Sequence, residues 1–162
     1  MLFIEENNFS KIKSEADSFY KNIGDIYCPY LKTKVSFNAK GLAHIKMKSW
    51  NKTRSKNDQY IRLKFIKFAP LIIKDSHTLQ ELQEQKNIEK IKISGTWIKK
   101  HQSITYFAFV AIINKLRLKI IIKKIGHNKP YFWSIIPFWK KRICPISRKT
   151  KKVFHEGDLK YE

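Results

Sequence analysis

The segment Leu116-Arg117-Leu118-Lys119-Ile120-Ile121-Ile122-Lys123, then the turn Gly126-His127-Asn128-Lys129, then Tyr131-Phe132-Trp133-Ser134-Ile135-Ile136-Pro137-Phe138, decides the fold. Leu116, Leu118, Ile120 and Ile122 alternate with Arg117, Lys119, Ile121 and Lys123, the period of two expected of a strand. Working outward, Ile104 to Ile113 reads as a buried strand, and Ile91 and Ile93 alternate with Lys90 and Lys92. Thr78-Leu79-Gln80-Glu81 has the form of a capping box and predicts a short acidic helix ending near Gln85.

Further upstream the period is helical. Asn8 is placed to cap a helix whose stripe is Ile12, Ala16, Phe19 and Ile23, with Gly24 at its C-terminal end. Val35-Ser36-Phe37 suits only a brief strand, Asn38-Ala39-Lys40-Gly41 reads as a turn, and Ser49 to Asn57 as a polar, basic loop around Trp50. A second helix is expected from about Asn57 to Phe68, buried through Ile61, Phe65 and Phe68 and ended or kinked at Pro70. Helices first and strands afterwards predict an α+β fold: N-terminal helices on a C-terminal antiparallel sheet of about four strands. One domain over 1–139 and a basic tail over 140–162 are the expected organisation, with seven basic residues between Lys140 and Lys152.

The chain has 162 residues, 43% hydrophobic and 14% aromatic, enough for one core. Its formal charge is +21, from 34 basic and 13 acidic residues. Lys outnumbers Arg 29 to 5, which coding bias alone can produce, but the placement of the acids needs another cause. Between Lys90 and His155 there are 17 basic residues and no acid, and between Ile26 and Asn57 eight and none. Such segregation predicts one strongly positive face, and RNA, or DNA, is the polyanion it best suits.

The longest wholly apolar run, Tyr106 to Ile113, is too short to span a bilayer, so no membrane insertion is expected. Glu5 and Glu6 follow Leu2-Phe3-Ile4, unlike a signal peptide, and a cytoplasmic location is expected. Cys28 and Cys144 are expected to stay reduced. Histidines 44, 77, 101, 127 and 155 have no metal-ligand spacing, and the basic region lacks the carboxylates of a two-metal nuclease, so neither metal nor cofactor is expected. Metal-free RNA cleavage asks less of a protein. The substrate's own 2′-hydroxyl is the nucleophile, and a His, a few cations and a hydroxyl suffice.

Gly41-Leu42-Ala43-His44-Ile45, Arg62-Leu63-Lys64 on a helix, Lys119-Ile120-Ile121 and Tyr131-Phe132-Trp133-Ser134-Ile135-Ile136 together resemble a known pattern. It is that of the phage and mobile-element branch of the barnase–EndoU–colicin E5/D–RelE (BECR) nuclease superfamily. The resemblance covers roughly Tyr27 to Trp139. It implies a small metal-independent ribonuclease, toxin-like, built from N-terminal helices and a four-stranded antiparallel sheet.

By that resemblance His44 is general base or acid, Arg62 and Lys119 stabilise charge, and Ser134 binds the scissile phosphate. Each has an ordinary alternative: a packed loop histidine, an ion-paired helix arginine, a solvated strand lysine, a serine satisfied within the ladder. Tyr106, Tyr131 and Trp133 are candidates to stack on bases, at most one of them at the site. Lys46, Lys48, Lys52, Arg54 and Arg117 suit phosphate contacts. No distinct second acid is assigned; His101 and Tyr106 are both candidates. An acidic immunity or antitoxin protein is a natural partner for a +21 ribonuclease. The same basic surface equally suits a non-catalytic RNA- or DNA-binding module. RNA target, base preference and oligomeric state leave no mark in the sequence.

Overall fold

The computed structural model describes residues 6–49, 51–138 and 159–162. Trp50, Cys144 and the basic run from Lys140 to Lys152 lie outside the described residues.

The first helix, α1, spans Glu6–Lys21, so Asn8 lies inside it rather than at its cap. Its packed stripe is Phe9, Ile12, Ala16, Tyr20 and Ile23. Phe19, expected on that stripe, is 41% exposed, and Tyr20 takes its place. Tyr20 gains more than burial, because its hydroxyl donates to the Asn38 carbonyl at 2.8 Å. Gly24 turns the chain out of the helix at φ +70°, a conformation that suits glycine.

Strands β1 (Asp25–Cys28) and β2 (Thr33–Ser36) form an antiparallel hairpin. Where a turn was expected there is helix α2 (Ala39–Lys46), capped by Asn38, whose side chain accepts from Gly41 N at 3.1 Å. The expected loop contains a small hairpin of β3 (Met47–Ser49) and β4 (Lys52–Thr53). Helix α3 (Lys56–Phe65) is capped by Ser55 and passes through a 3₁₀ turn at Ile66–Phe68 into α4 (Ala69–Lys74). Pro70 therefore opens a new helix, in the first-turn position where its missing N–H costs nothing.

From Glu81 to Phe138 four strands follow one another: β5 (Glu81–Ile93), β6 (Thr96–Ile113), β7 (Leu116–Ile125) and β8 (Tyr131–Phe138). The acidic helix predicted from Thr78 is absent, and Glu81 instead opens β5, paired with β6 from Glu81↔Ala108 to Ile93↔Thr96. A capping box is a local preference, and a long ladder with an alternating burial pattern overrides it. Among the described residues the sheet has six strands rather than about four, in the order β1-β2-β8-β7-β6-β5. The four C-terminal strands form a consecutive antiparallel meander, and the N-terminal hairpin joins through one parallel pairing, Ser36↔Tyr131.

One sheet face carries Phe109, Leu118, Ile120, Ile122, Phe132 and Ile135 into a core with α1, α3 and α4. The other face carries a smaller cluster, Ile104, Tyr106, Ala108 and Ile121, and Leu159 packs into it. Leu159, assigned to a tail by composition, thus packs on the sheet face opposite that core.

Candidate functional site

The site forms along β8. β2 pairs with β8 only at Tyr131, so the rest of that β8 edge is available to helices. Helix α2 lies against it so closely that a Cβ on Gly41 would stand 2.1 Å from the Phe132 carbonyl oxygen and 2.6 Å from the Tyr20 hydroxyl. Only glycine allows this approach, and the approach brings His44, one turn further on, to the sheet.

β8 also bulges. Ile121 pairs with Ser134 and Ile122 with Phe132, leaving Trp133 as the extra residue. Strict alternation would point Trp133 and Ser134 to opposite faces; the bulge sets both on the face away from the main core. Phe132 and Ile135, on either side, remain in that core.

His44 stacks on Trp133, ring centroids 3.8 Å apart and planes 16° from parallel. Its Nε2 is 3.0 Å from Arg54 Nη2 and 3.0 Å from the main-chain oxygen of Glu162, and Arg54 Nη2 donates to that same oxygen at 3.0 Å. With the proton on Nε2, imidazole and guanidinium both donate to the Glu162 oxygen; in the other tautomer, Nε2 accepts from Arg54. Arg54 also donates through Nε to the His44 carbonyl at 3.0 Å and through Nη1 to Asp58 at 3.1 Å. Asp58 accepts from Arg62 Nε at 2.7 Å, and Arg62 Nη1 donates to Ser134 Oγ at 2.5 Å. One continuous chain of polar contacts runs from the imidazole to the hydroxyl.

The electrostatics follow from burial and charge count. Burial works to raise the Asp58 pKa, but Arg62 and Arg54 outweigh it and hold the carboxyl below its ordinary value. Asp58 serves both guanidiniums, and Glu162 adds a second negative influence on Arg54. Burial first, then Arg54, Arg62 and Lys123, push His44 down to about 3, although the Glu162 oxygen opposes them. The imidazole is therefore neutral near pH 7.

Beside this chain lies a cleft of about 440 Å³, lined by Lys40, Ala43, His44, Met47, Lys48, Ser49, Lys123, Ile125, Tyr131, Trp133, Lys160 and Tyr161. Among the described residues, four lysines and three large aromatics line it and no carboxylate does. Its volume lies within the range of small-ligand sites. Lys123 holds its ammonium 4.0 Å from the centroid of Trp133 and 5.5 Å from that of Tyr106. Burial, then repulsion from Lys160 and Lys40, lower its pKa to about 8. Trp133 Nε1 is buried with no acceptor among the described residues.

Of the four residues expected at the centre, His44, Arg62 and Ser134 come together. Lys119 lies on the same face and is 1% exposed, but its ammonium meets Glu81 at 2.8 Å. Of the residues expected to bind nucleic acid, Lys48, Tyr131 and Trp133 line the cleft. Arg54 is buried in the network rather than solvated on a loop, and Tyr106 is buried beneath Lys123. Lys46 pairs with Asp17, while Lys52 and Arg117 are exposed away from the cleft lining. His101 is exposed on the distal part of β6. Lys123 and Asp58 were not singled out from sequence. Lys123 looks like any strand lysine until its neighbours are known, and Asp58, the first acid after an acid-free run, was the one available signal.

Among the described residues, no group of three His, Cys, Asp or Glu is placed to hold a metal ion, and Cys28 is free and buried. Among the described residues, no helix is long and apolar enough to cross a membrane. No family model, curated protein or solved structure matches this chain.

Proposed function

We propose that the protein is a metal-independent endoribonuclease of BECR type, toxin-like, acting on RNA in the cleft beside His44. The observation that carries this reading is the oxygen held 3.0 Å from both His44 Nε2 and Arg54 Nη2, at the rim of a lysine- and aromatic-lined cleft. A position that binds one oxygen between a neutral imidazole and a guanidinium suits a phosphate oxygen equally well.

In the proposed reaction RNA displaces residues 159–162 from that position. His44, neutral, takes the proton of the 2′-hydroxyl on the ring nitrogen that does not hold the phosphate oxygen, as the hydroxyl oxygen attacks the adjacent phosphorus. Arg54, supported through Asp58 by Arg62 and Ser134, stabilises the added negative charge on the phosphoryl oxygens. The P–O5′ bond breaks, and Lys123, whose lowered pKa eases proton release, protonates the departing 5′-oxygen. The products are a 2′,3′-cyclic phosphate and a 5′-hydroxyl. Tyr131 and Trp133 offer ring surface to a base. Lys119, held by Glu81, supports the sheet rather than the phosphate. The excess of positive charge suits an acidic inhibitor protein.

A second reading, a non-catalytic RNA- or DNA-binding module, is favoured by the full burial of Ser134 and its bond to Arg62. The two part on one assay. Incubation of purified protein with RNA in EDTA should yield cyclic-phosphate ends, DNA should remain whole, and His44→Ala should slow cleavage about 10²–10⁴-fold. Intact RNA that nonetheless binds in a salt-dependent way would leave the binding module; cleavage unaffected by His44→Ala would remove the imidazole from the mechanism.

A further inference from the structure

β7 pairs with β6 only from Ile104 onward, so among the described residues the outer parts of β5 and β6, residues 86–103, pair only with each other, as a two-stranded ribbon. Eight residues per strand give it a reach of about 25 Å. Ribbons of two strands are marginal on their own, and natural sequences usually support them with favourable cross-strand pairs.

This ribbon does the opposite on one face. That face carries Lys86, Ile88, Lys90, Lys92, Lys99 and His101, all exposed, with Trp97 at its outer end, 67% exposed, its ring centroid 6.0 Å from the Lys92 ammonium. Lys90 and Lys99 are directly opposed in the register, a like-charge pair that destabilises the ladder. The ribbon's one acid, Glu89, is paired in the register with Lys100 on the other face, beside Ile91↔Ile98. Within residues 86–103 the lysine face thus carries no acid, Glu84 standing just before it, and it lies on the side of the sheet opposite the His44 cleft.

We propose that this ribbon is a second nucleic-acid site, which grips the sugar–phosphate backbone of RNA outside the cleft. The proposal rests on the reading that RNA is the ligand of the cleft, and extends it to a substrate long enough to reach both places. Phosphates relieve the repulsion between Lys90 and Lys99, and Trp97 supplies a stacking surface at the tip. The protein then prefers long or structured RNA over short oligonucleotides.

The test is Lys86→Gln/Lys90→Gln/Lys92→Gln/Lys99→Gln. Removing mutual repulsion leaves the fold intact, which circular dichroism checks. Fluorescence anisotropy with a labelled RNA hairpin of about 30 nucleotides, across a salt series, should show affinity weakened on the order of a hundredfold at about 0.15 M salt, and the slope of log K against log salt should flatten by about 3. Binding and cleavage of a tetranucleotide should not change. If the wild type binds the hairpin and the variant binds it equally, the ribbon proposal is wrong while the cleft reading stands. The ribbon proposal fails likewise if the variant merely self-associates in light scattering, since the lysines would then only guard an edge strand. If the wild type binds no RNA, both fall. If it binds hairpins through the ribbon without cleaving any RNA, the ribbon survives and the nuclease does not.

Discussion

Arg62 and Lys119 are both cations buried on or beside the same sheet face, and both resemble charge stabilisers in sequence. Their surroundings separate them. Lys119 meets a carboxylate of its own, Glu81 at 2.8 Å, and the pair is electrically closed. Arg62 shares Asp58 with Arg54, so Asp58 alone leaves the two guanidiniums one negative charge short, and Glu162 acts on Arg54 from that place. A matched pair is a structural element, whereas an unmatched cluster can still take an anion. The Glu162 oxygen sits at the unmatched cluster.

The largest expected effect falls on the matched pair. Glu81→Ala removes the carboxylate from a lysine whose side chain is 2% exposed, and should cost about 3–5 kcal/mol in urea unfolding. Glu81→Leu combined with Lys119→Met should recover most of that loss, with RNA cleavage unchanged. A double variant that stays folded but loses cleavage would place Lys119 back among the catalytic groups. Gly41→Ala comes next, at about 1–3 kcal/mol, because the new methyl meets backbone rather than a flexible side chain. It should displace α2 and His44 and abolish cleavage while leaving the Lys119–Glu81 pair in place, so activity should fall further than stability.

The acid limb of stability is read against pH rather than at a single pH. His44 drops from 6.5 to about 3 in the folded protein, so between those values the unfolded chain binds a proton that the folded chain refuses. Stability should therefore decline as pH falls through this window, and His44→Gln should flatten that part of the urea-midpoint profile. Lys123 acts at the other end. With its pKa lowered from 10.5 to about 8, stability should rise with pH between those values, and Lys123→Met should remove the rise. A midpoint profile identical in wild type and His44→Gln would mean that the imidazole is not buried as described.

Period and composition were enough to read the meander from Ile104 to Phe138, the helices around Ile12 and Ile61, and an α+β architecture. They were not enough for β5, where a capping box at Thr78 competes locally with a ladder that exists only once β6 is alongside. Helix α2 was missed for a related reason. Asn38-Ala39-Lys40-Gly41 contains two turn-forming residues, but its glycine serves a close approach to Phe132, ninety-one residues away in the chain. The parallel pairing Ser36↔Tyr131, which raises the sheet to six strands, is equally non-local.

His44, Arg62 and Ser134 could be picked out as candidates because residue type limits what chemistry a side chain can offer. Whether they meet was decided by three tertiary features. The open edge of β8 admits α2 and α3, Gly41 sets how near α2 comes, and the bulge at Trp133 turns Ser134 to the same side as the indole. The sequence by itself determined the excess of positive charge, the alternation that buries one sheet face and the supply of imidazole, guanidinium and hydroxyl groups. Those are properties of single residues and their immediate neighbours. Which cations are matched and which are left with charge to spare was decided only by the tertiary structure, because pairing depends on distances between residues far apart in the chain.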